Sequence, residues 1–121
     1  MLTSACSAAT PADRSGISSG RDAVLDRIER DARLPSGAAP LSTYARYYAA
    51  DDDGGVAAVY LLAVDSDHHP PPYDLAAGRR RWISGGQRNL PRILDGGCGV
   101  IELRADAQGT ITQPPRCNAE A

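Results

Sequence analysis

Two periods of hydrophobic residues alternate along this chain, and the points where one gives way to the other mark its elements. Over residues 20–34, Val24, Leu25, Ile28 and Ala32 recur at helical spacing. Arg21, Asp22, Asp26, Arg27, Glu29, Arg30, Asp31 and Arg33 fill the other side. The pattern predicts an amphipathic helix. Ser19 stands where a cap would accept the first free amides, Asp22 completes a short capping box, and Pro35 stops the helix after Leu34. Asp26 and Arg30 have the spacing of an ion pair along a helix surface.

Beyond a loop over 35–40, residues 41–49 are rich in tyrosine and read as a strand. Alternation puts Tyr44, Arg46 and Tyr48 on one face and Ala45, Tyr47 and Ala49 on the other. An acidic turn, Asp51-Asp52-Asp53-Gly54-Gly55, leads into the almost unbroken apolar run 56–64, which reads as a central strand. Residues 41–64 therefore form a first hairpin, with a helix through 41–50 as the competing assignment. The prolines at 70–72 then end all regular structure, since they lack an amide donor and fix their own backbone. After the basic run 79–81, Trp82 and Ile83 start a short strand or cover a sheet edge, and 84–94 is irregular.

The last stretch has the pattern of a second hairpin, Val100 to Arg104 and then Thr110 to Thr112, joined by a turn that starts at Asp106 and closes on a left-handed Gly109. A register that pairs Asp106 with Gly109 also sets Cys98 opposite Cys117, which predicts a disulfide between them. Placing Ile111 on the face of Ile101 and Leu103 needs a register one residue away, and a bulge at Gly99 would reconcile the two. Two unpaired buried thiols are the alternative.

Length and composition fit one domain with a modest core. The 121 residues include no Phe and one Trp, so Ala, Val, Leu, Ile and Tyr must fill the interior. All 13 basic residues are Arg, a bias of GC-rich coding sequences. A net charge of -2 supplies no long-range field for nucleic acid.

The segment Met1-Leu2-Thr3-Ser4-Ala5-Cys6-Ser7 resembles the end of a bacterial lipoprotein signal. The resemblance implies a lipid on Cys6 after cleavage behind Ala5, with residues 1–18 as a flexible tail or tether and 19–121 as the folded domain. The chain departs from the pattern in having Leu2 one place early and Thr3 where an aliphatic residue is usual. The charged start and apolar stretch of a signal are also missing, which a start codon assigned too far downstream accounts for. Three cysteines then divide into one lipidated residue and one bridged pair, and export would place the bridge in an oxidising compartment.

Few residues carry candidate chemistry. Tyr44, Arg46 and Tyr48 on one strand face, with Arg81 and Trp82, make a candidate ligand surface in which guanidinium groups stand beside rings. The bland account is a sheet face packing on itself and a solvated charge run next to a core tryptophan. His68 and His69, with Asp65 and Asp67, hold ligand atoms but lack a second cluster to close a metal site. Asp51 to Asp53 lack the alternating ligands and distal Glu of a calcium loop.

The architecture expected is α+β: a helix packed on an antiparallel sheet built from the hairpins 41–64 and 98–117, the second stapled by the disulfide. With its tyrosine-rich first strand and its Gly-Gly-Cys to Cys-Asn ending, the chain resembles the small uncharacterised exported proteins and lipoproteins of GC-rich bacteria. The expectation is a non-enzymatic protein of the cell envelope, periplasmic or held to the outer membrane by the lipid on Cys6. It acts as a binding or inhibitor-like module toward a protein or cell-wall partner, without cofactor or nucleic acid. The alternative is a small hydrolase or metal-dependent enzyme using His68 and His69.

Overall fold

The computed structural model describes residues 12–62, 70–93 and 96–118, with side chains of the first helix described from Gly20 onward. Cys6, His68, His69, Asp65 and Asp67 lie outside the described residues. The helix, α1, spans Ala12–Asp31 and so begins before the expected cap. Ser19 lies inside it, since a started helix gains one hydrogen bond per added residue and tolerates an interior serine at small cost. It ends earlier than Leu34, because the residue before Pro35 is pushed out of the helical region; Ala32 N still donates to Ile28 O at 2.8 Å.

Five strands follow: β1 (Tyr44–Ala50), β2 (Val56–Leu62), β3 (Arg80–Trp82), β4 (Val100–Ala105) and β5 (Ile111–Cys117). They form one sheet in the order β3-β1-β2-β4-β5. Three pairs are antiparallel, as the hairpin reading requires, but β3 lies parallel to β1, with Arg46, Tyr47 and Tyr48 beside Arg80, Arg81 and Trp82. The sheet is therefore mixed and not wholly antiparallel. The chain reverses once after β2 and steps over β1, so it arrives antiparallel to β2 and hence parallel to β1.

The two hairpin turns share one design. Asp51 Oδ1 accepts from the amides of Asp53 and Gly55 at 2.8 and 2.9 Å, and Asp106 Oδ1 accepts from those of Gln108 and Thr110 at 2.9 and 3.0 Å. In each, the fourth residue takes a positive φ that favours glycine, 89° at Gly54 and 92° at Gly109. The aspartates at 51–53 thus serve a turn, one carboxylate folding the backbone around itself.

Cys98 and Cys117 are joined, with Cα atoms 4.4 Å apart. The bridge is reached differently from the expected register. Cys98 sits in a tight 3-10 turn, Gly97–Gly99, ahead of β4, and Cys117 stands opposite Ile101. The bulge is not at Gly99. The register shifts lie between Ala105 and Arg104 and between Arg104 and Glu102, with the extra residues on β5. That strand carries Pro114 and Pro115, which cannot donate to the ladder and are tolerated because β5 is a sheet edge. Ile111 does fall opposite Ala105, on the face of Ile101 and Leu103.

Both faces of the sheet are covered. On one, Leu25 and Ile28 of α1 meet Tyr44, Tyr48, Tyr60, Ile101 and Leu103. On the other, Leu75, Ile83 and Leu90 from the long connection pack over Ala45, Tyr47, Val59 and Leu61. The connection is irregular but is half of the core, which is why β2 is apolar at almost every position. The bridge itself indicates a location outside the cytoplasm, where a disulfide persists.

Replacing Cys98 and Cys117 together by Ser should lower the unfolding free energy by about 3 kcal/mol, the entropy released by opening a loop of this size. Urea unfolding of both forms measures it, and an unchanged midpoint would show that the staple contributes nothing.

Candidate functional site

The expected ligand surface on β1 is built from alternation, and the structure closes it under α1. Tyr44 and Tyr48 are fully buried, and the Arg46 side chain is 13% exposed. Above them Glu29 reaches down from the helix with its side chain 14% exposed. Its Oε1 accepts from Arg46 Nη1 at 2.8 Å and from Arg80 Nη1 at 3.2 Å, while its Oε2 accepts from the Tyr48 hydroxyl at 2.6 Å. Tyr48 and Tyr60 hydroxyls stand 2.8 Å apart. Arg80 also pairs with Asp26 at 2.9 Å, so Asp26 is held across the interface and not by Arg30 along the helix. Arg27 pairs with Asp31 instead.

Burial is the main force on the two phenols. It pushes Tyr48 far above the ordinary tyrosine value of 10.0, reinforced by Tyr60 and by the negative charge of Glu29. Burial raises Tyr60 in the same direction, partly offset by its hydrogen bond with Tyr48. Burial lowers Arg80, but its bonds to Asp26 and Glu29 outweigh that and leave its affinity for protons raised. Phenols and a guanidinium that are all shifted toward their protonated forms make a clamp.

Arg81 and Trp82 do not share a surface, because neighbouring strand residues point to opposite faces. Trp82 faces α1, where the Arg21 guanidinium lies 4.2 Å from its ring centroid beside a small apolar recess that includes Val24, Val56 and Ala107. Arg81 faces the other way and is held by Asp74 at 3.0 Å and the Pro72 carbonyl at 2.8 Å. Tyr44, the third ring of the expected patch, donates to the Cys98 carbonyl at 2.5 Å and accepts from the Ala39 amide at 3.2 Å. It ties β1 to the turn that carries the disulfide.

The open site lies on the opposite face of the sheet, at the end that the long connection leaves uncovered. Val100 of β4 is buried there, but Glu102 and Arg104, next along the same face, are half-exposed. Arg116 and Gln113 of β5 pair with them in register. The segment after β3 supplies Gln87, Arg88 and Arg92 as the facing wall, and the cleft between has a volume of about 690 Å³. Among the described residues its lining carries four arginines, Arg88, Arg92, Arg104 and Arg116, against two carboxylates, Asp52 and Glu102.

Those charges are unequally engaged. Glu102 accepts from Asn118 Nδ2 at 2.7 Å and from Arg116 at 3.4 Å. Arg104 approaches Asp51 at only 3.9 Å. Arg88 and Arg92 are exposed and make no ion pair among the described residues. Gln87 Oε1 is buried without a hydrogen-bond partner among the described residues, a costly state for an amide oxygen. The cleft therefore has unspent positive charge, while the Gln87 oxygen is closed off inside its wall. The sequence carried a signal for it in the polar residues of β4 and β5 at positions that alternate with core residues, but only the paired register brings them beside Arg88 and Arg92.

Two outcomes test the clamp. Glu29→Ala leaves Arg46 without its carboxylate and should cost about 3–5 kcal/mol of stability, the usual penalty for breaking one side of a mostly buried pair; chemical denaturation reads it. The phenols set the alkaline limit. Tyr48 and Tyr60 ionise near 10.0 in the unfolded chain and well above it when folded. The stability they contribute is whole below pH 10.0 and is lost as pH rises past it. Phenolate absorbance from these two should appear together with loss of the fold, and ionisation within an intact fold would contradict the burial argument.

Comparison with protein-family models, curated proteins and solved structures finds no match to this chain, so its reading rests on the geometry of the clamp and the cleft.

Proposed function

We propose that this protein is a non-enzymatic binding module of the cell envelope, periplasmic or tethered through a lipid on Cys6, and that it captures a cell-wall component in the arginine-lined cleft. The observation that carries the reading is the cleft itself. It is open, its charge is opposite in sign to that of the whole chain, and it stands on a sheet made rigid by covering on both faces.

The chemistry of the lining supports binding. Its polar groups are guanidinium, amide and carboxylate, and among the described residues it includes no serine, cysteine or histidine to act as nucleophile or proton shuttle. The disulfide and the likeness of the first seven residues to a lipoprotein signal support the compartment. An inhibitor-like action belongs to the same reading, since a rigid surface loses little entropy on docking.

Cell fractionation followed by intact mass tests the compartment. The expected protein is recovered with the envelope, bridged, and carries a diacylglyceryl addition on Cys6 if tethered. Recovery in the cytoplasm with free thiols would sink the proposal. Cosedimentation with purified cell wall tests the cleft: wild type should be retained, and the Arg88→Glu/Arg92→Glu variant should not.

A further inference from the structure

Resting on the reading of the cleft as the binding face, we infer that it selects a compact polyanion: a ligand that carries two or more phosphate or carboxylate groups close together. The first ground is charge. Among the described residues the lining holds four of the chain's 13 arginines but two of its 15 acidic side chains. A cleft walled by one sign of charge concentrates the field within it, and this one does so in a chain whose net charge is -2.

The second ground is how those charges are engaged. Glu102 has both oxygens occupied, Oε1 by Arg116 at 3.4 Å and Oε2 by Asn118 at 2.7 Å. Arg104 lies 3.9 Å from one oxygen of Asp51, whose other oxygen accepts the turn amides of Asp53 and Gly55. Arg88 and Arg92 make no ion pair among the described residues. The carboxylates are thus committed, while the guanidinium groups, with five N–H donors each, keep donors to spare. A guanidinium fork matches carboxylate and phosphate alike, so the chemistry they share is an oxyanion.

The third ground is layout. Residues directly opposite one another in a sheet share a face. Val59, Glu102 and Arg116 therefore make one row across β2, β4 and β5, and Ala57, Arg104 and Gln113 make the next. The β2 end of each row is small and buried, which leaves a low floor. Arg104 and Arg116 stand on one side of that floor, and Arg88 and Arg92 come from the facing wall after β3. Cations on two walls suit a ligand with an anionic group for each. A volume of about 690 Å³ confines it to a compact one, and a sheet face gives an extended acidic peptide no edge to join as a strand.

Isothermal titration at low ionic strength with tripolyphosphate and with citrate separates the phosphate and carboxylate sources. Inorganic phosphate and acetate are the single-group comparisons, and tetraglutamate is the peptide. At least one polyanion should bind about tenfold or more tightly than its single-group counterpart. Arg88→Glu/Arg92→Glu should weaken it by about tenfold or more. Arg33→Glu/Arg79→Glu makes the same change of net charge on exposed arginines outside the lining, and should leave affinity within about twofold. Glu102→Gln, in protein whose urea midpoint is unchanged, should tighten binding, since it frees Arg116 and removes a negative charge. The inference is overturned by failure of both polyanions to bind, by a remote pair as damaging as the cleft pair, by weaker binding in Glu102→Gln, or by tetraglutamate binding more tightly than both. Cell-wall retention that depends on Arg88 and Arg92 but that neither polyanion competes also overturns it, and leaves the broader cleft reading standing. Polyanion binding at the cleft without any retention keeps the oxyanion class and removes the cell wall as its source.

Discussion

The carboxylate of Glu29 holds the architecture together, because it joins pieces that apolar contact alone joins weakly. Among its described side chains the helix contributes only Leu25 and Ile28 as buried ones, with Val24 and, just past its end, Ala32 at the margin. A stripe that narrow leaves a charged helix loosely seated. Glu29 compensates by accepting from Arg46 on β1, Arg80 on β3 and the Tyr48 hydroxyl at once. Each donor comes from a different point on the sheet, so the carboxylate sets helix position and the parallel docking of β3 together. A mostly buried charge group of this kind costs desolvation and is worth keeping when it fixes one arrangement over others. Here the arrangement fixed is the edge of the sheet.

The far side of the same face is closed by a second polar contact. The Tyr44 hydroxyl reaches the Cys98 carbonyl, so the disulfide turn is anchored to β1 as well as to β5. In a chain without phenylalanine, tyrosine does the space filling, and every buried phenol brings a hydroxyl that needs a partner. Tyr48 and Tyr60 answer each other, Tyr44 finds a carbonyl, and the Tyr47 hydroxyl accepts from the Leu75 amide at 2.9 Å on the opposite face. The core is therefore a hydrogen-bonded one. The staple and the phenols do related work, the first restricting the unfolded chain and the second penalising misplacement within the folded one.

How much of this could be read from residues alone follows from the range of each signal. Both hairpin turns were legible because an aspartate and a glycine three places apart fold their own backbone. The disulfide was legible because the turn sets the distance of its flanks. The bulges were not, since one falls at Pro114 and Pro115 and the other at Thr112, on a strand whose edge position is a tertiary fact. The strand at Arg80–Trp82 is three residues long and depends on Glu29 and β1 for its place, and a local pattern of that length carries little information. Tyr44, Arg46 and Tyr48 were correctly put on one face, but alternation cannot say which face meets the helix. The competing faces looked alike, with tyrosine on both.

The same limit explains where the open cleft lies. On β4, Ile101, Leu103 and Ala105 face the helix and are buried, while Val100, Glu102 and Arg104 face the other way. Among the described residues the long connection covers the β1 and β2 part of that second face with Leu75, Ile83 and Leu90, and its cluster on β4 includes Val100 alone. One strand is thus core at its start and surface further on, along a single face. Because Glu102 and Arg104 need no apolar cover, polar residues at those positions cost the fold nothing, and they are free to be chosen for a ligand. The clamp and the cleft are on opposite faces of the sheet for that reason: the face that must seat a helix spends its arginines on Glu29, and the face left partly uncovered has Arg88 and Arg92 without an ion pair among the described residues.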